Sequence, residues 1–391
     1  MKSNRKNVLA ALAAAAAMPI STNSHSLAAP QDSKIGYRYS QYQEADAPRE
    51  RTFTPTIERY QIDVHQLHYG RPITGNWYIN TDLQYETLTG ASPLQTYENT
   101  DGNSVLLMTG ASIDEQRTDL RVAPTRYFSQ GSIGGSIAYS TEDDYQSIAL
   151  GLEGQLELAD QLTTLHGSIS VSNDTLSPTD AYLSSIRQDA EGNDKRSVSI
   201  YEGISRVLTK TSVVQAGIGY THQSGYLSDP YKFEDRRPGQ RDQVTLDGRY
   251  RLYFTVGDGA ALHLDYRYYT DDWGIRSHTI TTRWAQSWKA NQWTFNLIPS
   301  LRYYRQTAAS FYRLEQNPPD EELSSSDARL STFGALTYGI EGQVKWQRWL
   351  VSLDIQQYDS AENLALIQTS STETPALVDY QVVSLGIEYR Y

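Results

Sequence analysis

What most constrains this chain is the rhythm of its connections. From Lys34 onward it reads as segments in which apolar and polar residues alternate, the period of a strand with two unlike faces. The segments lie at 34–43, 57–69, 76–88, 118–128, 131–141, 146–158, 163–172, 196–208, 211–222, 242–254, 260–270, 275–288, 292–304, 330–346, 349–358 and 378–391, sixteen in all. After even-numbered segments the chain turns tightly, at 70–75, 129–130, 159–162, 209–210, 255–258, 289–291 and 347–348. After odd-numbered ones it runs through long polar stretches, at 44–56, 89–117, 173–195, 223–241, 305–329 and 359–377. Only 142–145 and 271–274 are short where the parity predicts length. Outer-membrane β-barrels have even strand numbers, short periplasmic turns and long outer loops. A soluble sandwich has no reason to keep that parity. The predicted fold is all-β, a single transmembrane antiparallel barrel of about sixteen strands.

The last segment fits. In V-S-L-G-I-E-Y-R-Y, Leu385, Ile387, Tyr389 and Tyr391 share one face, and Ser384, Gly386, Glu388 and Arg390 the other. An apolar face ending in an aromatic residue is the pattern of a C-terminal insertion signal for barrel assembly. Composition agrees: 39% hydrophobic residues with negative mean hydropathy speak against helical spans, and 29 Tyr suit a wall with one wet and one lipid face. A net charge of -12 argues against nucleic acid as partner. The absence of Cys excludes disulfides, thiolate metal sites and covalent haem attachment through C-x-x-C-H.

Six of the seven Trp, namely Trp77, Trp284, Trp288, Trp293, Trp346 and Trp349, flank predicted periplasmic turns. Indole prefers the headgroup level, so these six are the expected membrane girdle. On the faces opposite the apolar rows stand charged residues that belong in a lumen, because Arg or Lys against mid-bilayer hydrocarbon costs ~2–4 kcal/mol. Arg249, Arg251, Asp265, Arg267, Arg283 and Arg302 come from four consecutive segments and are the candidate lumen and selectivity residues.

The start of the chain reads as a leader. Lys2, Arg5 and Lys6 precede an Ala-rich apolar run from Val8 to Ile20, and small residues near Ala28 or Ala29 offer a cleavage site. The expected division is 1–29 signal peptide and 30–391 barrel, the latter at about -15 (-12 minus 3).

No phosphate loop, dinucleotide fingerprint or H-E-x-x-H is present, and the chain is expected to be no enzyme, with no catalytic residue, metal or cofactor. His65 and His68 are three apart, which places them on opposite faces of a strand rather than on one metal. Asp271, Asp272 and His278 cluster in sequence near the outer rim and carry the one acid–base possibility, against which stands an ordinary solvated hairpin tip. Thr89-Gly90-Ala91-Ser92 recurs as Thr109-Gly110-Ala111-Ser112, suggesting paired turns that fold the first long loop on itself or into the lumen.

Five stretches carry a resemblance. They are L-T-G-A-S-P (88–93), D-E-Q-R-T-D (114–119), S-G-Y-L-S-D-P-Y-K (224–232), Y-R-Y-Y-T-D-D-W-G-I-R-S-H-T (266–279) and R-Y-Y-R-Q-T-A-A-S-F-Y (302–312). With the leader and terminal strand they resemble the bacterial family known as domain of unknown function 3570. That resemblance implies an outer-membrane barrel and assigns neither substrate nor catalytic residues.

The expected function is porin-like passage of small polar solutes, since barrels this wide generally leave an aqueous channel. The alternative is a scaffold that houses or anchors a partner, such as a redox or export component. The expected surroundings are outer-membrane lipid and lipopolysaccharide, the barrel-assembly machinery and a possible periplasmic partner. Whether the 89–117 loop plugs the lumen is open at this point.

Overall fold

A computed structural model describes residues 29–54, 56–109, 113–179, 181–314, 318–319, 322–367 and 373–391. Residues 1–28 of the expected 1–29 leader lie outside them, as do Gly110, Ala111 and Ser112 of the repeated motif.

Sixteen of its strands close into one antiparallel barrel. In chain order the wall is β1 (Lys34–Glu44), β2 (Gln61–Pro72), β3 (Trp77–Gly90), β6 (Ile113–Phe128), β7 (Gly131–Glu142), β8 (Tyr145–Glu157), β9 (Thr163–Leu176), β10 (Asp194–Thr209) and β11 (Ser212–Gly225), followed by β12 (Gln240–Phe254), β13 (Ala260–Asp271), β14 (Arg276–Ala290), β15 (Trp293–Gln306), β16 (Phe333–Trp346), β17 (Trp349–Ala361) and β18 (Tyr380–Arg390). The remaining pair, β4 (Pro93–Glu98) and β5 (Ser104–Met108), is a separate hairpin inside the first long loop. Each predicted segment is a wall strand; the hairpin was not visible in the alternation, because its short strands are set by packing rather than by two contrasting faces. Strands of 11 to 16 residues exceed the 9–11 or so needed to cross a bilayer, so several ends rise beyond it. The first loop therefore starts later and stops earlier than predicted, at 91 and 112. No helix among the described residues is long and apolar enough to cross a membrane.

Closure is made by β18 against β1, with Ile387 opposite Tyr37 and Leu385 opposite Tyr39. The tight turns recur where predicted, some using a left-handed residue such as Asn291 or Gln347. Both strand ends at the seam lie at this turn rim, where Ser33 and Tyr391 exchange backbone hydrogen bonds of 2.9 Å.

The wall is apolar outside. Leu152, Leu301, Leu385 and Ile387 are 61, 53, 55 and 44% exposed, while Ser384 and Gly386, which alternate with the last two, are buried inward. That is the facing of a lipid-bathed wall.

At the other rim the long loops pack on one another. Ala47, Ala91, Leu106, Met108, Ala328 and Ala376 bring four loops into one buried cluster. Trp273, Ile275, Ala309, Phe311 and Leu330 form a second one. Backbone bonds knit the hairpin to its neighbours, from Glu98 N to Leu314 O (2.8 Å) and from Phe233 N to Leu94 O (3.0 Å). The two copies of the repeat meet at the hairpin base: Thr109 N donates to Ser92 O and Ser92 N to Thr109 Oγ1, both at 2.9 Å. Gly90 opens this loop at φ +121°, where a Cβ would lie 2.2 Å from Arg59 O.

Candidate functional site

Register converts sequence spacing into rows across the inner wall. Asp247 stands opposite Arg267, Arg267 opposite Thr279, and Thr279 opposite Tyr304. The next row toward the turn rim holds Arg249, Asp265, Thr281 and Arg302. The one after that holds Arg251, His263, Arg283 and Ser300. All six candidate lumen residues thus sit in two rows and part of a third, on the inward side of β12–β15.

They are not six free charges. Arg267 Nε bonds Asp247 Oδ1 at 2.7 Å, and Arg251 Nη1 approaches Asp265 Oδ1 at 2.6 Å across the diagonal. Among the described residues Arg249, Arg283 and Arg302 have no hydrogen-bond or ion-pair partner. The sequence gives this part of the wall more bases than acids, and the structure resolves which bases remain unanswered.

Above these rows, beneath the loops, lies a cavity of about 830 Å³. Arg117, Lys195, Arg237, Arg241, Arg267, Arg302 and Arg329 line it against Asp119, Glu142 and Asp229, seven cations to three acids. Most are restrained by carboxylates at or behind the surface. Arg241 bonds Asp271 at 2.6 Å and lies 4.3 Å over the Trp273 ring; Lys195 reaches Asp174 at 3.7 Å. Arg302 is the exception, lining the cavity with its guanidinium unpaired.

The roof is tied by buried charge. Arg237 bonds both Asp235 and Asp327 at 2.9 Å, and Arg329 bonds Asp327 as well. Burial resists the charge of Asp327, yet Arg329, Lys232 and Arg237 outweigh it and hold its carboxyl well below the usual range. Asp235 goes the other way: burial pushes it up despite Arg237. Burial, with Asp235 and Asp229 nearby, pushes the Tyr226 phenol in the cavity wall up to about 12. Asp235, Arg237, Asp327 and Arg329 carried no motif, and only the meeting of two distant loops makes them a unit.

The opposite side of the interior is dry. Tyr42, Tyr60, Ile62, Val64 and Leu88, with Tyr380 and Val382 against them, form a buried cluster on the inward faces of β1–β3 and β18. Tyr380 stacks on Tyr358 at 4.4 Å and lies 4.7 Å from Tyr42. The hairpin loop belongs to this side. No described residue of 91–109 lines the cavity.

The six predicted girdle Trp lie beside the short turns: Trp77, Trp288, Trp293, Trp346 and Trp349 are exposed and Trp284 half-exposed. Trp293 stacks on Trp346 at 5.5 Å and Trp349 packs on Tyr389 at 4.5 Å. The seventh, Trp273, is buried in the loops. In the terminal strand Leu385, Ile387 and Tyr391 are exposed, with Tyr389 half-exposed beside Trp349.

His65 and His68 fall on opposite faces, the first bonded to Tyr37 OH (2.7 Å) and the second to Asp82 (2.6 Å). The acid–base trio does not assemble either. Asp271 is buried against Arg241 and Tyr269, while His278 bonds Tyr266 OH on the outward face. Glu115, Glu142 and Asp144 bring carboxylate oxygens within 4.8 Å of one another, a grouping the sequence reading missed; Glu142 also lies 3.6 Å from Arg117 and Asp144 accepts from Tyr231 OH.

Comparison with known proteins adds the following. A family described as Protein of unknown function (DUF3570) matches residues 7–372. A search of curated proteins gives no match. Among solved structures, a bacterial polysaccharide outer membrane secretin superposes with a TM-score of 0.51 at 9% identity, over 91% of this chain and 98% of that one. CdiB from Acinetobacter baumannii gives a TM-score of 0.51 at 9% identity, over 93% of this chain and 60% of that one. At such identities the likeness is one of fold, an outer-membrane barrel.

Proposed function

This chain belongs to the family Protein of unknown function (DUF3570), and on that premise we propose that its barrel passes small anionic solutes across the outer membrane, with β12–β15 as the conducting side. The observation that carries the reading is the cationic cavity under the loops, continuous in register with the rows that hold Arg249, Arg283 and Arg302. Fixed charges in water act over ~8 Å at physiological salt, so the local excess of bases outweighs the chain's acidic total. Unpaired guanidinium is the right group for the task, since its fork binds carboxylate or phosphate oxygens in pairs. The Trp belt at the turn rim and the apolar outward face hold the wall at a fixed depth.

The test is ion selectivity in planar bilayers. Wild-type protein is expected to conduct with anion preference, and neutralising Arg267 and Arg302 together to move the reversal potential toward cations. Unchanged selectivity in that variant removes these rows as the filter.

A second reading, a barrel that houses or anchors a partner, draws on the loop roof, which two buried apolar clusters hold together. Wild-type protein that inserts but carries no current favours it.

A further inference from the structure

The outward face of β14 and β15 at the loop rim carries positive charge that no group among the described residues answers. Ser277, Thr279, Tyr304 and Gln306 line the cavity, so the residues alternating with them, Arg276, His278 and Arg305, face outward. Ile280, next on that face, is 49% exposed. His278 and Arg305 are register partners, and Arg276 is bonded through its backbone to Thr307 just beyond. The three groups therefore occupy adjacent positions on two neighbouring strands. Among the described residues neither guanidinium has a hydrogen-bond or ion-pair partner. Elsewhere at this level outward polar groups satisfy one another: Asp242 accepts from Tyr220 and His222, Asp359 from Tyr338, and Arg196 meets Asp194 at 3.5 Å. Asp272, just beyond β13 at the same rim, accepts the backbone N–H of Asp242.

Depth follows from strand geometry. Arg276 and Trp288 are 12 residues apart on β14 (288 minus 276). At about 3.3 Å per residue and a tilt of roughly 40°, that is about 30 Å across the wall, slightly more than the ~25 Å apolar band of such barrels. With Trp288 at the inner interface, Arg276 and its neighbours stand at the outer one. His278 is fixed there by the Tyr266 hydroxyl at 2.8 Å and by the Tyr268 ring at 5.2 Å.

We propose that Arg276, His278 and Arg305 form a binding site for a phosphorylated glycolipid of the outer leaflet, the two guanidiniums gripping a headgroup phosphate. The phosphate supplies the oxygens that the protein withholds, and charge-assisted bonds are strong at a partly desolvated interface. Tyr266 and Tyr268 give the sugar and upper acyl chains a surface apolar on one side and polar at the tip.

The full chain, purified in detergent, is titrated with diphosphorylated lipid A, with the same lipid stripped of phosphate, and with inorganic phosphate. Wild-type protein is expected to bind the phosphorylated lipid about tenfold or more tightly than the stripped one, in line with loss of charged hydrogen bonds. Arg276→Gln with Arg305→Gln is expected to bring that ratio close to one, whereas Arg196→Gln, on β10 four strands along the wall, leaves it unchanged. If the double variant does not assemble, each single variant is expected to cut the ratio several-fold. A wild-type ratio near one overturns the proposal without any variant, and so does a ratio that survives loss of the arginines. Displacement by inorganic phosphate at equal concentration assigns a free-anion site and overturns the lipid source.

Discussion

Two sides of one interior behave as different solvents. Along β18 and β1–β3 the inward faces carry Tyr42, Ile62, Val64 and Leu88, all but sealed from water. Along β12–β15 they carry Arg, Asp and Thr around an open cavity. Both sides alternate with the same period and present the same apolar face to lipid. What differs is the inward residue and the loops beside it, since the hairpin and three further long loops share a buried cluster at the dry side. The inside of a barrel is thus not bound to be a pore all round: one sector can be a packed core that makes the other sector rigid.

The largest expected effect comes from the roof. Removing Arg237 strands Asp235 without its cation and leaves Asp327 with Arg329 alone, and breaking such a buried pair costs ~3–5 kcal/mol. Arg237→Ala is therefore expected to open the loops to protease while the wall stays intact. Loops as resistant as wild type would show that the apolar clusters alone hold the roof.

Next is the contrast between the sides themselves. Ile62→Ala leaves a cavity in the dry sector and is expected to cost ~2–5 kcal/mol in denaturant unfolding. Thr279→Ala on the wet side should stay within about 0.5 kcal/mol. Equal costs would erase the distinction.

A smaller effect separates outside from inside at the terminal strand. Ile387→Arg puts charge on the lipid face near the turn rim and is expected to cost up to about 2 kcal/mol and lower the assembled fraction. Glu388→Gln should assemble normally, as read by the gel shift between unheated and boiled samples. Matching yields would mean the facing is inverted.

The smallest effect is with pH. Asp327 is depressed in the folded protein, so its contribution is present above the unfolded value of 3.8 and is lost only as pH falls further. Asp235 is raised, so it takes up a proton on acidification in the folded state and works in the opposite sense. Protease resistance of the loops should accordingly hold from pH 7 down to about 4. Loosening at pH 6 would assign the roof to other groups.

Alternation and the parity of the connections determined the strands, the two faces, the facing of Ile387 and the placing of six Trp at one rim, because each depends on residues close in sequence and on a fixed period of two. The row order of Arg249, Arg267, Arg283 and Arg302 followed from consecutive strands meeting their neighbours. The packing of a roof could not be read that way. Arg237 and Asp327 are 90 residues apart in the chain, and no local pattern states that they meet. The same holds for the hairpin, for the dry sector beside it and for the pairing that leaves Arg302 free while Arg267 is tied. Alternation tells a residue which side of the wall it faces; only the closed wall and the folded loops decide whether it finds water, a partner or a core.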